Sequence, residues 1–311
     1  MAEFRVSAAS ADDVRVIAGW AVAEGWNPGD GDESAFYPAD PGGFLVGRLD
    51  GQMITSISAI RYGSEHGFIG LYLTVPEFRG RGFGYMTWQA GMERLAGRNV
   101  GLDGVVAQQD NYRKSGFRDA WTTTRYQGVL GGLARTAGIE VLDARSVGFG
   151  ELAAYDRRFF PAERDAFLAL WITLPGRRAL VARRNGVVVG FAARRPAGDV
   201  DRIGPLFADS PEIAESLLAE LSGTGDGTRP ATVGGAALIG GGTALLGGGV
   251  VPAGADEVPV MIDVPVDNRA ANALAERGGL KPAWDTARMY TGGVPEIDRP
   301  GIFAVTSLEL G

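Results

Sequence analysis

The sequence contains no cysteine and a single histidine, His66, among its 311 residues. The absence of cysteine excludes disulfides, thiolate nucleophiles, and zinc or iron–sulfur sites that need thiolate ligands. One imidazole also excludes a metal site built from several histidines of this chain. The core must therefore be stable without covalent links, and we expect no metal in the chemistry.

Basic residues are also fewer than acidic residues. The chain has 30 basic and 37 acidic residues, a net charge of −7 and a pI of about 5.0. Nucleic acids and anionic membranes attract proteins with a positive field, so we expect neither as a partner. The stretch from Met1 to Ala18 carries charges throughout and has no apolar segment typical of a secretory signal, which predicts a cytoplasmic protein.

The length suits two average domains, and the pattern of predicted elements occurs twice. Each half reads as helix, hairpin, strand, helix, strand, helix, strand. The hairpins turn at Asp50-Gly51 and at Asn185-Gly186, both strong turn signals. We predict an α/β (α+β) fold of two tandem domains, residues 1–130 and 139–311, each a mixed, mostly antiparallel sheet flanked by helices.

A glycine-rich insertion near residues 224–257 interrupts the second half. The segment Gly234–Gly254 repeats a seven-residue pattern three times, and the run from Val233 to Val251 has no charge. A transmembrane helix must therefore be considered, but the many glycines disfavour a helix. We interpret the segment as an insertion that carries no chemistry.

The most informative stretch runs from a predicted strand, Gly67–Val75, into a predicted helix, Phe83–Ala96. Three alternating glycines at its centre free the backbone amides to turn inward and join those of the helix N-terminus, which predicts a phosphate cradle. Two arginines add positive charge at the same rim. The residues concerned are Arg79, Gly80, Arg81, Gly82, Phe83 and Gly84. Pro76 precedes them and would stop strand pairing, which predicts a slot beside the strand end.

Two motifs in this order resemble the Gcn5-related N-acetyltransferase (GNAT) superfamily. The segment Val75–Gly84 resembles its acyl-CoA-binding motif, whose pyrophosphate signature Arg/Gln-x-x-Gly-x-Gly/Ala matches Arg79, Gly82 and Gly84. Downstream, Tyr112-Arg-Lys-Ser-Gly-Phe117 resembles the Tyr-x-x-x-Gly-Phe ending of the same family. The resemblance covers the first half well and implies a GNAT fold with acetyl-CoA, or another acyl-CoA, as co-substrate and no metal.

The resemblance also implies roles for individual residues. Backbone groups around Leu73 and Val75 would pair with the pantetheine arm as an added strand. The amides from Arg79 to Gly84 would hold the pyrophosphate. Tyr112 would donate a proton to the departing thiolate, a task that suits a phenol with an ordinary pKa of about 10.

The second half keeps the predicted topology and loses the chemistry. Its counterpart of the glycine loop, Ile203–Glu212, contains one glycine and two acids, and Ala275 stands where the family has its tyrosine. We interpret this half as a degenerate acetyltransferase domain that shapes or covers the cleft of the first. The tandem order resembles bacterial two-domain acetyltransferases with a YitH-like C-terminal domain.

The proton acceptor for the amine is less well defined. Asp103 lies on the strand after the glycine-loop helix and ranks first, as a base or as an anchor for an ammonium group. Other candidates are Glu65, His66, Asp30 and Glu33, and an ordered water would serve equally.

An aromatic loop after the first helix contains Trp26, Asn27 and Tyr37, for which the resemblance implies the acceptor pocket. The alternative is that these aromatics only fasten the loop to the core.

We therefore predict an N-acetyltransferase that moves acetyl from acetyl-CoA to a small primary amine by direct attack in a ternary complex. The alternatives are a non-catalytic acyl-CoA sensor, which the candidate proton donor Tyr112 disfavours, and an aminoacyl-tRNA-dependent transferase, which the acidic composition disfavours. A homodimer is compatible with the sequence.

Overall fold

The computed structural model describes residues 3–223 and 258–311. The predicted insertion at 224–257 lies outside the described residues. Within the described ranges, no helix is both long and apolar enough to cross a membrane.

The first half of the chain alternates strands with helices in the predicted order. Its strands are β1 (Phe4–Ala8), β2 (Phe44–Leu49), β3 (Gln52–Tyr62), β4 (His66–Thr74), β5 (Asn99–Val105) and β6 (Arg118–Gly128). Its helices are α1 (Ala11–Ala23), α2 (Glu33–Ala39), α3 (Phe83–Arg94) and α4 (Gln109–Lys114).

The second half repeats the pattern and ends in a short extra strand. Its described strands are β7 (Glu140–Asp143), β8 (Arg178–Arg184), β9 (Val187–Ala197), β10 (Val200–Ala208), β11 (Val260–Pro265), β12 (Lys281–Tyr290) and β13 (Ile302–Ala304). Its described helices are α5 (Phe149–Asp156), α6 (Asp165–Thr173), α7 (Pro211–Ser222) and α8 (Arg269–Arg277).

Local chemistry accounts for several of these boundaries. Helix α1 begins after Ser10, whose hydroxyl accepts from the Asp13 amide while the Asp13 carboxylate accepts from the Ser10 amide, a capping box. Asp50 and Asn185 adopt the positive φ angles of +48° and +53° that the predicted hairpin turns require. The last strand is short, since only Ile302–Ala304 is paired, with β10.

All the described strands belong to one sheet, a feature that the sequence analysis did not predict. The order is β1-β2-β3-β4-β5-β12-β6-β11-β10-β9-β8-β7, with β13 also paired to β10. Strand β12 from the second half lies between β5 and β6 of the first, and β6 lies between β12 and β11. The halves therefore exchange strands at the centre of the sheet, and each completes the other's sheet.

Candidate active site

Strands β4 and β5 are neighbours along only part of their length. They pair in parallel from His66 opposite Asn99 to Ile69 opposite Leu102. Beyond these pairs β4 continues to Thr74 and β5 to Val105 without pairing to each other. The predicted slot beside the strand end is therefore present.

The cause of the parting differs from the one predicted. On the other side of β4, the register shifts so that two residues, Leu71 and Tyr72, face only Ile57 of β3. Leu71 has a φ of +46°, and its carbonyl accepts from the Ser56 hydroxyl at 2.8 Å. This is a β-bulge, which bends a strand away from its neighbour. The prediction that Pro76 opens the slot is wrong, because the bend begins five residues earlier.

A cleft of about 700 Å³ fills the gap between the parted strands. Its mouth lies at the glycine loop and the start of α3, and Tyr112 stands along one wall. The predicted residues that line it are Trp26, Leu73, Arg79, Gly80, Gly82, Gly84, Asp103 and Tyr112. One continuous cavity thus reaches from the candidate phosphate cradle to the candidate proton donor.

The cradle is built by backbone geometry. Gly80 and Gly82 have φ angles of +73° and +87°, which residues with a Cβ rarely adopt. Gly82 is the N-cap of α3, and the first hydrogen bond of the helix runs from the Met86 amide to the Gly82 carbonyl. The amides that precede Met86 in the helix have no intrahelical acceptor and carry the positive end of the helix dipole. Such a loop fits a pyrophosphate group.

The two predicted arginines differ in their surroundings. Arg79 donates from Nε to the Thr74 carbonyl at 2.9 Å and forms an ion pair with Glu24, which also lines the cleft. Arg81 is exposed, and its guanidinium lies 5.4 Å from the Phe78 ring centre and 5.3 Å from that of Phe83. Arg79 is therefore the arginine at the cleft, and it meets any ligand together with a carboxylate.

Two other residues predicted to contact the ligand, Val75 and Phe83, make different contacts in the structure. The Val75 amide donates to the Ile54 carbonyl at 2.9 Å, so it is not free for a pantetheine arm. The Phe83 side chain packs on the Phe4 ring at 4.9 Å between centres, which leaves only its backbone near the cradle. Val75, Arg81 and Phe83 do not line the cleft.

Tyr112 is held by an aromatic cluster. Its ring centre lies 5.4 Å from that of Trp88 and 6.4 Å from that of Phe117, the phenylalanine of the Tyr-x-x-x-Gly-Phe motif. Burial raises the pKa of Tyr112 well above its ordinary value. The phenol therefore stays protonated at neutral pH, as a proton donor must.

Asp103 lies at the cleft, but its carboxylate is fully engaged. Both oxygens accept from Arg288 of β12 at 2.7 Å, and the side chain has no solvent exposure. Burial raises the pKa of Asp103, and the charge of Arg288 acts in the opposite direction. A two-pronged pair of this kind positions strands and leaves little capacity to accept a proton from a substrate.

The aromatic loop contributes less of the cleft than predicted. Trp26 lines the cleft, and its carbonyl accepts from Arg125 at 2.8 Å. The Asn27 carbonyl accepts from Arg202 at 3.0 Å, and Asn27 does not line the cleft. Tyr37 packs against Phe44 with 6.1 Å between ring centres, away from the cleft. For Tyr37 the alternative of a core contact describes the structure better than a substrate contact.

The remaining candidate bases also lie elsewhere. Glu65, His66, Asp30 and Glu33 do not line the cleft. Both oxygens of Asp30 accept from the Gly198 amide, at 3.1 and 3.3 Å.

The second half supplies one end of the cleft, and the residue-level prediction missed this contribution. The residues concerned are Trp284, Thr286, Leu308 and Glu309. A signal for the first two was present in the sequence, since Ala120-Trp121-x-Thr123-x-Arg125 recurs as Ala283-Trp284-x-Thr286-x-Arg288. No comparable pattern surrounds Glu309, which reaches the cleft only because of the path of the C-terminal segment.

The equivalent gap in the second half is occupied by the chain itself. Strands β10 and β11 pair in parallel from Asp201 to Ile203 and then part. Strand β13 lies in that gap, where Leu206 pairs with Ala304 and the Val305 amide donates to the Asp263 carbonyl at 3.0 Å. The second half therefore has no open slot at this place.

Comparisons with known proteins match both halves to one superfamily. The acetyltransferase (GNAT) family matches residues 11–117, and a second acetyltransferase (GNAT) domain family matches residues 152–228. A holothin acyltransferase from Pseudoalteromonas sp. (strain SANK 73390) is 28% identical over 306 residues, which cover 97% of this chain and 93% of the relative.

Solved structures show the same architecture over nearly the whole chain. A putative acetyltransferase from Pyrococcus horikoshii aligns with a TM-score of 0.75 at 18% identity and covers 99% of this chain and 96% of its own. A tandem GNAT protein from the clavulanic acid biosynthesis pathway aligns with a TM-score of 0.59 at 13% identity and covers 94% of this chain and 100% of its own. At these identities the likeness concerns the fold.

Proposed function

The chain belongs to the GNAT acyltransferase superfamily with two copies of its fold, and on that premise we propose that it transfers an acetyl group from acetyl-CoA to the amine of a small molecule. The observation that carries this proposal is the single cleft that joins the amides of the α3 N-terminus to Tyr112. A sensor that only bound acyl-CoA would need no proton donor at that position.

The proposed reaction is direct attack in a ternary complex. The pyrophosphate of acetyl-CoA rests on the loop from Arg79 to Gly84, and the thioester lies in the gap between β4 and β5. The acceptor nitrogen attacks the carbonyl carbon and loses a proton to a base or an ordered water, a C–N bond forms and the C–S bond breaks. Tyr112 gives its phenolic proton to the sulfur, which makes the thiol a better leaving group.

The acceptor is proposed to be a small molecule because the cleft measures about 700 Å³ and is lined by side chains of both halves, including Trp26 and Trp284. The relative named for holothin makes holothin the first acceptor to test, followed by a panel of primary amines. Production of free thiol from acetyl-CoA, dependent on the acceptor, would establish the activity.

The role of Tyr112 is tested by Tyr112→Phe, which removes the hydroxyl and keeps the ring in its cluster. We expect kcat to fall about 100-fold, because a positioned general acid contributes at least that much, while the affinity for acetyl-CoA stays unchanged. Steady-state kinetics and calorimetric titration measure the two quantities.

The matched control is Tyr37→Phe, which removes a phenol that lies away from the cleft, and it should change neither quantity. Equal kcat values for Tyr112→Phe and the wild type would remove Tyr112 from the mechanism. Absence of turnover by the wild type with every amine, despite tight acetyl-CoA binding, would favour the sensor instead.

A further inference from the structure

The C-terminal segment crosses the first half where β4 and β5 part. A Cβ added to Gly70 would lie 2.0 Å from the Glu309 carbonyl oxygen, so only glycine permits this crossing. The Tyr62 hydroxyl donates to the Leu310 carbonyl at 3.0 Å, and the Leu310 amide donates to the Ser307 hydroxyl at 3.1 Å. These contacts fix the backbone of Glu309 at the edge of the cleft.

The Glu309 carboxylate is buried, and only one of its two oxygens has a polar partner in the described part of the chain. The side chain is 3% exposed, and Oε1 lies 3.4 Å from Nη1 of Arg202. Oε2 is buried and has no hydrogen-bond partner among the described residues. A buried carboxylate oxygen without a partner is costly, and it commonly marks a place where a ligand or substrate supplies the missing donor.

Glu309 differs in this respect from the other carboxylates that line the cleft. Glu24 at the mouth is paired with Arg79, and Asp103 is held at both oxygens by Arg288. Glu309 also lies close to Trp26, because Nη1 of Arg202 contacts both Glu309 and the Trp26 carbonyl. Arg125, which donates to the same carbonyl, lies 4.5 Å from the Trp284 ring centre. Among the three carboxylates that line the cleft in the described ranges, Glu309 is thus the one with a buried, unpaired oxygen, and it lies near the tryptophans proposed to surround the acceptor.

We propose that Glu309 is the catalytic group that takes a proton from the acceptor nitrogen as that nitrogen attacks the thioester. This inference rests on the proposed function. One N–H bond breaks and its proton passes to Oε2, the nitrogen forms the new C–N bond, and the C–S electrons leave on sulfur, which takes the Tyr112 proton. After product release, Glu309 loses its proton to water and Tyr112 regains one. The second half would then supply the base and the first half the acid.

The arrangement around Glu309 keeps it in place through the step. Arg202, which contacts Oε1, also binds Asp263 and so does not depend on Glu309 for its charge balance. The charged groups that face Glu309 are Arg195 on β9, Arg202 on β10, Arg125 on β6 and Asp103 on β5. Glutamine at position 309 preserves the shape and keeps an oxygen opposite Arg202, but it removes the negative charge together with the proton acceptor.

The test is Glu309→Gln in the full chain, assayed with acetyl-CoA and the best acceptor of the wild type. We expect kcat to fall at least about 100-fold, the usual contribution of a general base, in a folded protein with unchanged acetyl-CoA affinity. Because a general base is inactive once protonated, we expect the wild-type kcat to fall towards acidic pH and the residual kcat of the variant not to show this fall. Glu309→Asp should recover part of the rate.

The matched control is Glu215→Gln, which makes the same chemical change at a surface ion pair with Arg277, and it should keep wild-type kinetics. Full activity of Glu309→Gln with an active wild type would overturn this inference and leave the proposed function standing. If Glu309→Gln does not fold, a wild-type kcat that stays constant towards acidic pH would overturn it equally. An inactive wild type would refute the proposed function first.

Discussion

The two halves part their fourth and fifth strands at equivalent places, and they differ in what lies in the gap. Between β4 and β5 the gap is an open cleft with a glycine loop at its mouth. Between β10 and β11 the gap holds β13, which pairs with β10 as an added strand. In the second half the edge of β10 is thus paired with a strand of the same chain. In the first half the equivalent edge of β4 is left available to a ligand.

The same comparison explains the buried ion pairs at the centre of the sheet. Asp103 on β5 binds Arg288 on β12, and Asp263 on β11 binds Arg125 on β6. Each aspartate belongs to one half and its arginine to the strand exchanged from the other. The second half, whose gap is filled, has the same kind of pair. The Asp103–Arg288 pair is therefore better understood as a structural contact between the two halves, called a joint below, than as part of the catalytic machinery.

The largest expected effect comes from breaking these joints. Asp263→Asn leaves Arg125 and Arg202 buried without their shared carboxylate, and loss of one partner of a buried pair costs about 3–5 kcal/mol. Asp103→Asn should also destabilise the protein. Denaturant unfolding of both variants measures the cost. If Asp103 is a joint, the folded Asp103→Asn protein keeps most of its kcat, whereas a base at that position would lose it.

The pH dependence of stability gives a second measure of the same joint. Burial alone would raise the pKa of Asp263, but Arg125 and Arg202 outweigh it and lower the pKa to about 2. A lowered pKa in the folded state means that this carboxylate stabilises the fold above about pH 4. Its contribution disappears as the pH falls from about 4 towards 2. The melting temperature of Asp263→Asn should therefore vary less over that window than the wild-type value.

The next effect concerns the open gap. Gly82→Val places a β-branched residue at a φ of +87°, so the loop must abandon the geometry that presents the helix amides. We expect acetyl-CoA affinity to fall at least about 100-fold, or about 2.7 kcal/mol. The control Glu212→Gln, at the start of the equivalent helix α7, should leave binding unchanged at one site per chain. Two sites per wild-type chain would contradict the contrast between an open and a filled gap.

Much of the first half could be predicted because its signals are local. The Ser10 cap, the Asp50-Gly51 turn and the glycine loop each act over a few residues. The strand exchange could not be predicted in this way, because β12 pairs with β5 across more than 170 residues of chain. For the same reason Asp103 was ranked first as a base or as an anchor for an ammonium group, and its partner Arg288 was not predicted.

The site residues likewise fall into those with a local sequence signal and those without one. Tyr112 and four residues of the glycine loop belong to contiguous motifs and line the cleft as expected, namely Arg79, Gly80, Gly82 and Gly84, whereas Arg81 and Phe83 do not. Trp284 was signalled only by an internal repeat, and Glu309 by nothing local. Glu309 reaches the cleft only because of the path of the C-terminal segment, and no local sequence spacing reveals such a path. This segment first forms β13 in the gap of the second half and then crosses the first half at Gly70.

The smallest expected effect concerns the mouth of the open gap. The ion pair with Glu24 offsets the charge of Arg79 and must yield when a pyrophosphate approaches. Glu24→Gln should therefore strengthen acetyl-CoA binding about two- to fivefold, in keeping with the modest energy of a partly exposed pair. The gain should shrink at high salt, since salt screens exposed charges. Calorimetric titration at two ionic strengths measures both changes.

The control for Glu24 is Glu77→Gln, which removes an equal charge from an exposed position close to Arg79 in sequence and outside the cleft lining. If both variants bind more tightly to the same degree, the general field of the loop controls affinity. Weaker binding by Glu24→Gln would mean that Glu24 holds Arg79 in its binding position. Acetyl-CoA binding in the open gap would then depend on a carboxylate as well as on the glycine loop. The open and filled gaps would therefore differ in their side chains as well as in their backbone.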